Sequence, residues 1–218
     1  MYFAEGIPYF VVNSISVTMF TKMGVPNGEM ALFTSLLYLP WTLKPLWSPL
    51  VDIFKSKRWW IVTMQALMTA AFILLVFSIP HPSPEMIASG RTPSGLFTFT
   101  LLLFILTAFA SATHDIAADG FYMVVLDPGQ QSFFVGIRST FYRLSSIFGQ
   151  GVLVVIAGLI ESHTGNIPLA WTLTMAVTAV IFALITLYGM FLLPGHKADV
   201  AVKASGRSSA GEFARAFV

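Results

Sequence analysis

Six charged residues stand inside long apolar stretches of this sequence. Three are acidic and three are basic, so the set can be neutral overall: Glu5, Lys44, Asp115, Asp119, Arg138 and Arg143. Charges in such surroundings are costly and usually face an aqueous path or a partner. Carboxylates placed there can take up and release protons, and basic groups can bind an anionic solute or hold a gate closed.

Two interpretations of these charges remain open. They are structural salt bridges or a gate lock, or they contact a solute or protons directly. Buried ion pairs are weak evidence for stability, because the desolvation penalty can exceed the Coulombic attraction. Six such charges in one small membrane domain therefore favour a switch or a pathway.

The turn centred near Gly129 predicts which of these charges lie at equal depth. Asp119 is ten residues before it and Arg138 nine after it, whereas Asp115 and Arg143 are each fourteen away. In an antiparallel helical hairpin, equal distance from the turn means equal depth. Asp119 is thus predicted level with Arg138, and Asp115 with Arg143. The two arginines point about 140° apart around their helix, so at most one pair is direct.

Aromatic and small residues near these charges each allow two interpretations. Tyr38 and Trp41 stack on a sugar ring, or they fill space within the helical bundle. Gly149, Gly151 and Gly158 let neighbouring helices approach closely in a membrane, or they form a hinge.

The composition requires that these residues be carried by membrane-spanning helices. Of 218 residues, 56% are hydrophobic and 10% are charged, and the mean hydropathy is +0.78; soluble chains carry about 25% charged residues. The sequence predicts an all-α membrane protein with one domain over residues 1–193 and a cytoplasmic tail over 194–218. Six apolar segments reach the ~17–25 residues that cross a bilayer, at about residues 3–23, 30–51, 59–79, 96–126, 133–160 and 169–193.

Basic residues outside these segments concentrate on one side of the predicted topology. The other side carries Arg91, with Lys22 at a segment boundary. Since cytoplasmic loops are enriched in lysine and arginine, both termini are predicted to be cytoplasmic. The seven residues on the basic side are Lys55, Lys57, Arg58, Lys197, Lys203, Arg207 and Arg215.

Several other function classes are excluded by what the sequence lacks. Without cysteine there is no disulfide, thiolate zinc site or cysteine nucleophile. His114, Asp115 and Asp119 lack the further oxygen ligands of a hard-metal site, and no Walker-type phosphate loop is present. A net charge of +2 does not indicate nucleic-acid binding. We therefore expect no enzyme activity, no metal and no cofactor.

Four segments of the sequence resemble one transporter family. These are residues 41–52 (WTLKPLWSPLVD), residues 112–120 (ATHDIAADG), residues 5–8 (EGIP) and Arg143 in a Phe-Tyr-Arg-Leu setting. They are similar to the second, fourth, first and fifth helices of the AmpG-type muropeptide permeases. Those permeases belong to the major facilitator superfamily, and acetyl-coenzyme A transporters are their relatives.

The resemblance implies a secondary active transporter that works by alternating access. Such transporters have twelve spans in two six-span halves, with the solute bound between them. The chain would be the N-terminal half, in a bacterial inner membrane, with a second six-helix half, protons and an anhydro-muropeptide as partners. Asp52, Lys57 and Arg58 would form the cytoplasmic gate loop. The alternative is a membrane scaffold or subunit that does not transport, whether a natural half-protein or a truncated one.

Overall fold

The protein is helical throughout the part of the chain that its computed structural model describes, residues 1–195 and Asp199. No strand occurs in these residues, which agrees with the predicted all-α class. The predicted tail lies outside the described residues except for Pro194, Gly195 and Asp199. Ten α-helices occur there: α1 Tyr2–Phe10, α2 Ser16–Lys22, α3 Asn27–Thr42, α4 Lys44–Ile53, α5 Lys57–Ser78, α6 Pro84–Ser89, α7 Thr98–Val125, α8 Pro128–Ser146, α9 Leu153–Thr164 and α10 Ile167–Leu192.

Short segments of other helix types join some of these helices. A π-helical segment, Val11–Ile15, connects α1 to α2, and a second one, Ile147–Val152, connects α8 to α9. A 3₁₀ turn, Ser94–Phe97, leads into α7. Between α3 and α4 the helix is interrupted at Leu43, whose φ of −90° and ψ of 0° are not helical. The first, second and fifth predicted spans are therefore composite.

Four helices of the described chain are long and apolar enough to cross a membrane. They are Lys57–Ser78, Ser94–Val125, Pro128–Thr164 and Ile167–Leu192, and they correspond to the third to sixth predicted spans. The second predicted span is divided into helices of 16 and 10 residues. The first carries polar residues, among them Glu5 and Asn13, between its apolar ones. The total of six spans stays a prediction.

The helix ends follow local sequence signals. The side chains of three N-cap residues accept a hydrogen bond from a backbone N–H in the first turn of their helix. They are Ser56 for α5, Asp127 for α8 and Asn166 for α10. Gln130 completes a reciprocal capping box with Asp127. These caps satisfy N–H groups that have no partner within the helix.

The core packs α7 between α5, α3 and the first helical segment, while α10 packs on α5. Phe20 contacts three other rings edge-on, those of Phe33, Phe97 and Phe104. Phe72 of α5 stacks edge-on with Phe182 of α10. Large apolar residues also cover the outside, where Phe77 is 81% exposed and where lipid would contact them. This packing leaves α1, α3, α4, α7 and α8 to surround a charged cavity.

Candidate functional site

A cavity of about 500 Å³ lies where α1, α3, α4, α7 and α8 meet. Five of the six charged residues predicted from the sequence line it, and Asp119 lies beside it through its ion pair with Arg138. These side chains lie towards the end of the bundle that contains Met1. The lining residues are Glu5, Tyr9, Trp41, Lys44, Asp115, Arg138, Ser139, Tyr142 and Arg143.

Asp115 is held by Lys44. The Lys44 Nζ donates to Asp115 Oδ2 over 2.7 Å, and Asp115 is only 7% exposed. Lys44 is the first residue after the break at Leu43, so the start of α4 carries its amine to α7. Of the two alternative pairs that equal depth allows, Asp115–Arg143 does not form, because equal depth in a hairpin leaves open which side chains face each other. The actual partner comes from a helix outside that hairpin.

Arg138 joins two acidic residues and an aromatic ring. Its Nη2 lies 2.7 Å from Asp119 Oδ1 and 3.9 Å from Glu5 Oε1. Its guanidinium carbon lies 4.5 Å from the ring centroid of Tyr2, a cation–π distance. The structure thus contains the Asp119–Arg138 pair that equal depth predicts, and it ties α1 and α7 to α8.

Arg143 lines the cavity without an ion pair to any described residue. With Asp119 counted beside Arg138, the three acidic and three basic side chains balance, and Arg143 is the base whose charge no described carboxylate contacts. The guanidinium has five donors and stays protonated in proteins. Arg143 is therefore available to an anionic group.

Aromatic side chains form one wall of the cavity. Tyr9 contacts Trp41 edge-on with ring centroids 5.1 Å apart, and its hydroxyl is 2.6 Å from that of Tyr38. Trp41 lines the cavity, as does Tyr142, whereas Tyr38 does not and is 44% exposed. The sequence reasoning missed Tyr9 and Tyr142. Helical spacing could have found them, since Tyr9 is four residues after Glu5 and Tyr142 four after Arg138.

The predicted gate loop lies apart from the cavity. Lys57 pairs with Asp52, and its Nζ also donates to the Val51 carbonyl over 3.0 Å. Its aliphatic stem packs against Gly120 of α7, where a Cβ would meet Lys57 Cε at 2.9 Å. None of the three predicted loop residues lines the cavity, so their gate role stays a prediction.

Arg58 and Asp199 connect the start of α5 to the end of α10. Arg58 donates to the carbonyls of Leu193 (2.8 Å) and Met190 (3.1 Å). The Asp199 carboxylate accepts from the backbone N–H groups of Lys57 (2.6 Å) and Arg58 (2.9 Å). Both contacts satisfy helix-terminal groups that favour opposite charge. No pattern in the sequence predicted this role of Asp199.

His114, next to Asp115, faces away from the cavity. It is fully buried, and its Nε2 lies 3.2 Å from Nε2 of Gln65 on α5. The Gln65 amide in turn presses on Gly189 of α10, where it fills the place of a Cβ. A metal site is not built here: in residues 1–195 and Asp199, no three His, Cys, Asp or Glu residues are grouped to hold an ion.

Comparison with known proteins gives relatives in both fungi and bacteria. An uncharacterized protein of Schizosaccharomyces pombe is 30% identical over 152 residues, which is 65% of this chain and 28% of that protein. The putative transporter AmpG 4 of Rickettsia conorii is 29% identical over 194 residues, 84% of this chain and 41% of the relative. The anhydromuropeptide permease of Escherichia coli is 26% identical over 162 residues, 71% of this chain and 30% of the permease.

The chain therefore spans less than half the length of these relatives. No solved structure matches it. The relatives agree with the resemblance of the first, second, fourth and fifth segments to AmpG-type permeases. The AmpG-type permeases are a family of membrane transporters and not of enzymes. A family model of the Major Facilitator Superfamily matches residues 1–217, and the chain belongs to that superfamily.

Proposed function

We propose that this chain forms the N-terminal half of a secondary active transporter that works by alternating access. The observation that carries the proposal is the cavity, which brings Lys44, Asp115, Arg138 and Arg143 together beside aromatic rings. Isolated charges of this kind inside a membrane domain mark solute or proton pathways. A second six-span half, packed against the open side of the cavity, would complete the binding site.

The solute we propose is an anhydromuropeptide or a similar anionic sugar derivative. Arg143 has no ion-pair partner among the described residues and is therefore available to a carboxylate. Trp41, Tyr9 and Tyr142 offer ring faces and edges for a sugar ring. The name of the Escherichia coli relative agrees with this class of solute.

Proton coupling is proposed to run through Asp115. A proton on this carboxylate removes its attraction to Lys44, and the return of Lys44 favours release of the proton. Entry of the solute's own carboxylate gives Lys44 a competing partner. The ion pair over 2.7 Å is thus a two-state contact that both solute and proton can bias.

Both termini are proposed to lie on the cytoplasmic side. Lys57 and Arg58, at the bundle end that also contains Met1, support this orientation. The loop at residues 80–94 is then external. A cysteine at Ser89 should react with an impermeant thiol reagent in intact cells, whereas one at Ser205, outside the described residues, should not. Labelling of position 205 alone would reverse the orientation.

The coupling proposal is tested with Asp115→Asn in the full-length transporter. The amide keeps an oxygen for Lys44 but cannot cycle a proton. We expect anhydromuropeptide accumulation driven by an imposed pH gradient to be lost, while counterflow exchange continues. Asp127→Asn, which alters an exposed helix cap outside the cavity, is the matched control. Accumulation in Asp115→Asn that follows the gradient at the wild-type rate would leave Asp115 as a structural anchor.

A further inference from the structure

Two of the helical segments that surround the cavity contain a π-helical interruption. Val11–Ile15 separates α1 from α2, and Ile147–Val152 separates α8 from α9. Six of the nine cavity-lining residues lie on these two segments, and all six precede the interruption in their segment. They are Glu5, Tyr9, Arg138, Ser139, Tyr142 and Arg143.

The interruptions are visible in the backbone hydrogen bonds. Ser16 N–H donates to the Val11 carbonyl, and Leu153 N–H donates to the Phe148 carbonyl, each five residues back instead of four. Asn13 Nδ2 donates to the Tyr9 carbonyl over 3.1 Å, so a side chain supports the first interruption. π-helical turns are rare, and they occur frequently at functional sites. A π-helical turn is also one of the common causes of a bend in a helix.

The two π-helical segments pack against each other. Gly149 in the second segment lies against Phe10, where a Cβ would stand only 2.7 Å from Phe10 Cβ. Four residues earlier on each segment, Gly6 lies equally close to Ser145, whose hydroxyl occupies the place of a Cβ. At so close an approach, a bend of one segment alone would either collide with the other or open a gap in the packing. A bend shared by both keeps the contact.

The paired segments are joined differently at the end away from the cavity, called here the far end, and at the end that lines the cavity, called the near end. At the far end Lys22 and Glu161 pair over 3.1 Å, which ties α2 to α9 beyond the interruptions. At the near end Arg138 pairs with Asp119 of α7 over 2.7 Å. The α7 helix has no π turn between Thr98 and Val125, so Asp115 rides on a regular helix. A shared bend would change the distance between the Arg143 wall and the Lys44–Asp115 wall.

We propose that the paired π-helical segments form one hinge, about which α1 and α8 swing together against α7 to open and close the cavity. At the far ends, the exposed contact between Lys22 of α2 and Glu161 of α9 is kept. The near ends separate from α7 when the Arg138–Asp119 pair opens. Six cavity side chains then move as one wall, while Lys44 and Asp115 stay with the other.

Distances between spin labels test the hinge without any change in it. The full-length transporter receives cysteines in place of Phe133 and Leu159, two exposed residues on either side of the second π-helical segment. They would be about 39 Å apart along a straight helix. The control pair replaces Leu102 and Met123, both exposed on α7 and about 32 Å apart. We expect two distance populations in the first pair and one in the control; a single population in both would overturn the proposal.

Single-residue deletions then remove the π turns. Deleting Asn13 or Gln150 shortens the five-residue bonds to ordinary helical ones and leaves the flanking faces aligned. We expect the less populated of the two label distances to become about tenfold rarer for each ordinary helical hydrogen bond that the deletion restores. Gln150→Ala keeps the chain length and is the control; Asn13→Ala also loses the hydrogen bond to the Tyr9 carbonyl and is therefore unsuitable. Deletion variants that retain both populations, or a Gln150→Ala variant that loses one as fully, would rule out the π turns as the hinge.

Discussion

The two faces of α7 differ in how they meet their neighbours. One face carries Asp115 towards the cavity, where Lys44 of α4 neutralises it. The other face carries His114, the preceding residue, towards Gln65 of α5. The first contact joins opposite charges beside an open cavity, and the second is a hydrogen bond between uncharged side chains in a closed core.

This difference separates what holds the bundle together from what it does. In membrane proteins, small residues and neutral hydrogen bonds bring helices together. Thr69 and Thr186, with hydroxyls 2.7 Å apart, do the same between α5 and α10. Burying charges carries a larger desolvation penalty than burying neutral groups, and helix packing does not require charges. Their concentration on the cavity face therefore indicates function. The predictions below change one face at a time.

The largest effect on stability is expected at the Lys44–Asp115 pair. Asp115→Leu leaves the Lys44 amine in a cavity without its partner and should lower the free energy of unfolding by about 3–5 kcal/mol. The double variant Lys44→Met/Asp115→Leu removes both charges and should restore it to the wild-type value or above, without restoring transport. Denaturant unfolding in detergent measures both. A double variant as unstable as the single one would show that the unpaired Lys44 amine is not what destabilises Asp115→Leu.

Arg143 is expected to affect binding and leave stability unchanged. Arg143→Gln removes a charge that has no ion pair in the described residues, so unfolding should be unaffected. The affinity for an anhydromuropeptide should fall roughly ten- to a hundredfold, since a hydrogen bond to a charged group is lost. Arg138→Gln is the contrast, because it also breaks the pair with Asp119 and should lower both. Unchanged affinity in Arg143→Gln would take this residue out of the binding site.

Helix packing on the closed side of α7 should be sensitive to side-chain volume. Gly189→Ala places a methyl group where the Gln65 amide lies and should lower the free energy of unfolding by about 1–3 kcal/mol. Gly158→Ala in α9 meets nothing within 4 Å and should be neutral or stabilising by up to about 1 kcal/mol. Thermal unfolding of the two variants side by side makes the comparison. Equal midpoints would show that α10 yields to the added methyl group.

The helical architecture could be predicted from the sequence because apolar length and composition determine it. The four long apolar helices fall on the third to sixth predicted spans. The break at Leu43 and the two π-helical segments were not anticipated. Pro45 just after the break, and Gly149 and Gly151 in the second π-helical segment, mark two of these places in the sequence. Their backbone geometry still depends on how neighbouring helices pack, as Gly149 against Phe10 illustrates.

The charged residues of the cavity were predictable and their pairing only in part, whereas their role as a solute or proton site stays a prediction. Five of the six charges predicted from their cost in a membrane line the cavity. Depth along a hairpin correctly paired Asp119 with Arg138. The second level pair, Asp115 with Arg143, does not form, in keeping with the expectation of at most one direct pair. The Lys44 partner of Asp115 was not predicted, because it comes from another helix and only the tertiary packing brings it there.

Protection of Ser139 by solute tests most directly whether the charged cavity is the binding site. The chain has no cysteine, so a cysteine at Ser139, which lines the cavity, is the only thiol in it. Thiol labelling is measured in the full-length transporter, its other cysteines removed, with and without saturating anhydromuropeptide. A cysteine at the exposed Ser162, far from the cavity, is the control. We predict that the solute slows labelling at position 139 and leaves position 162 unchanged; equal rates at position 139 with and without solute would contradict the account.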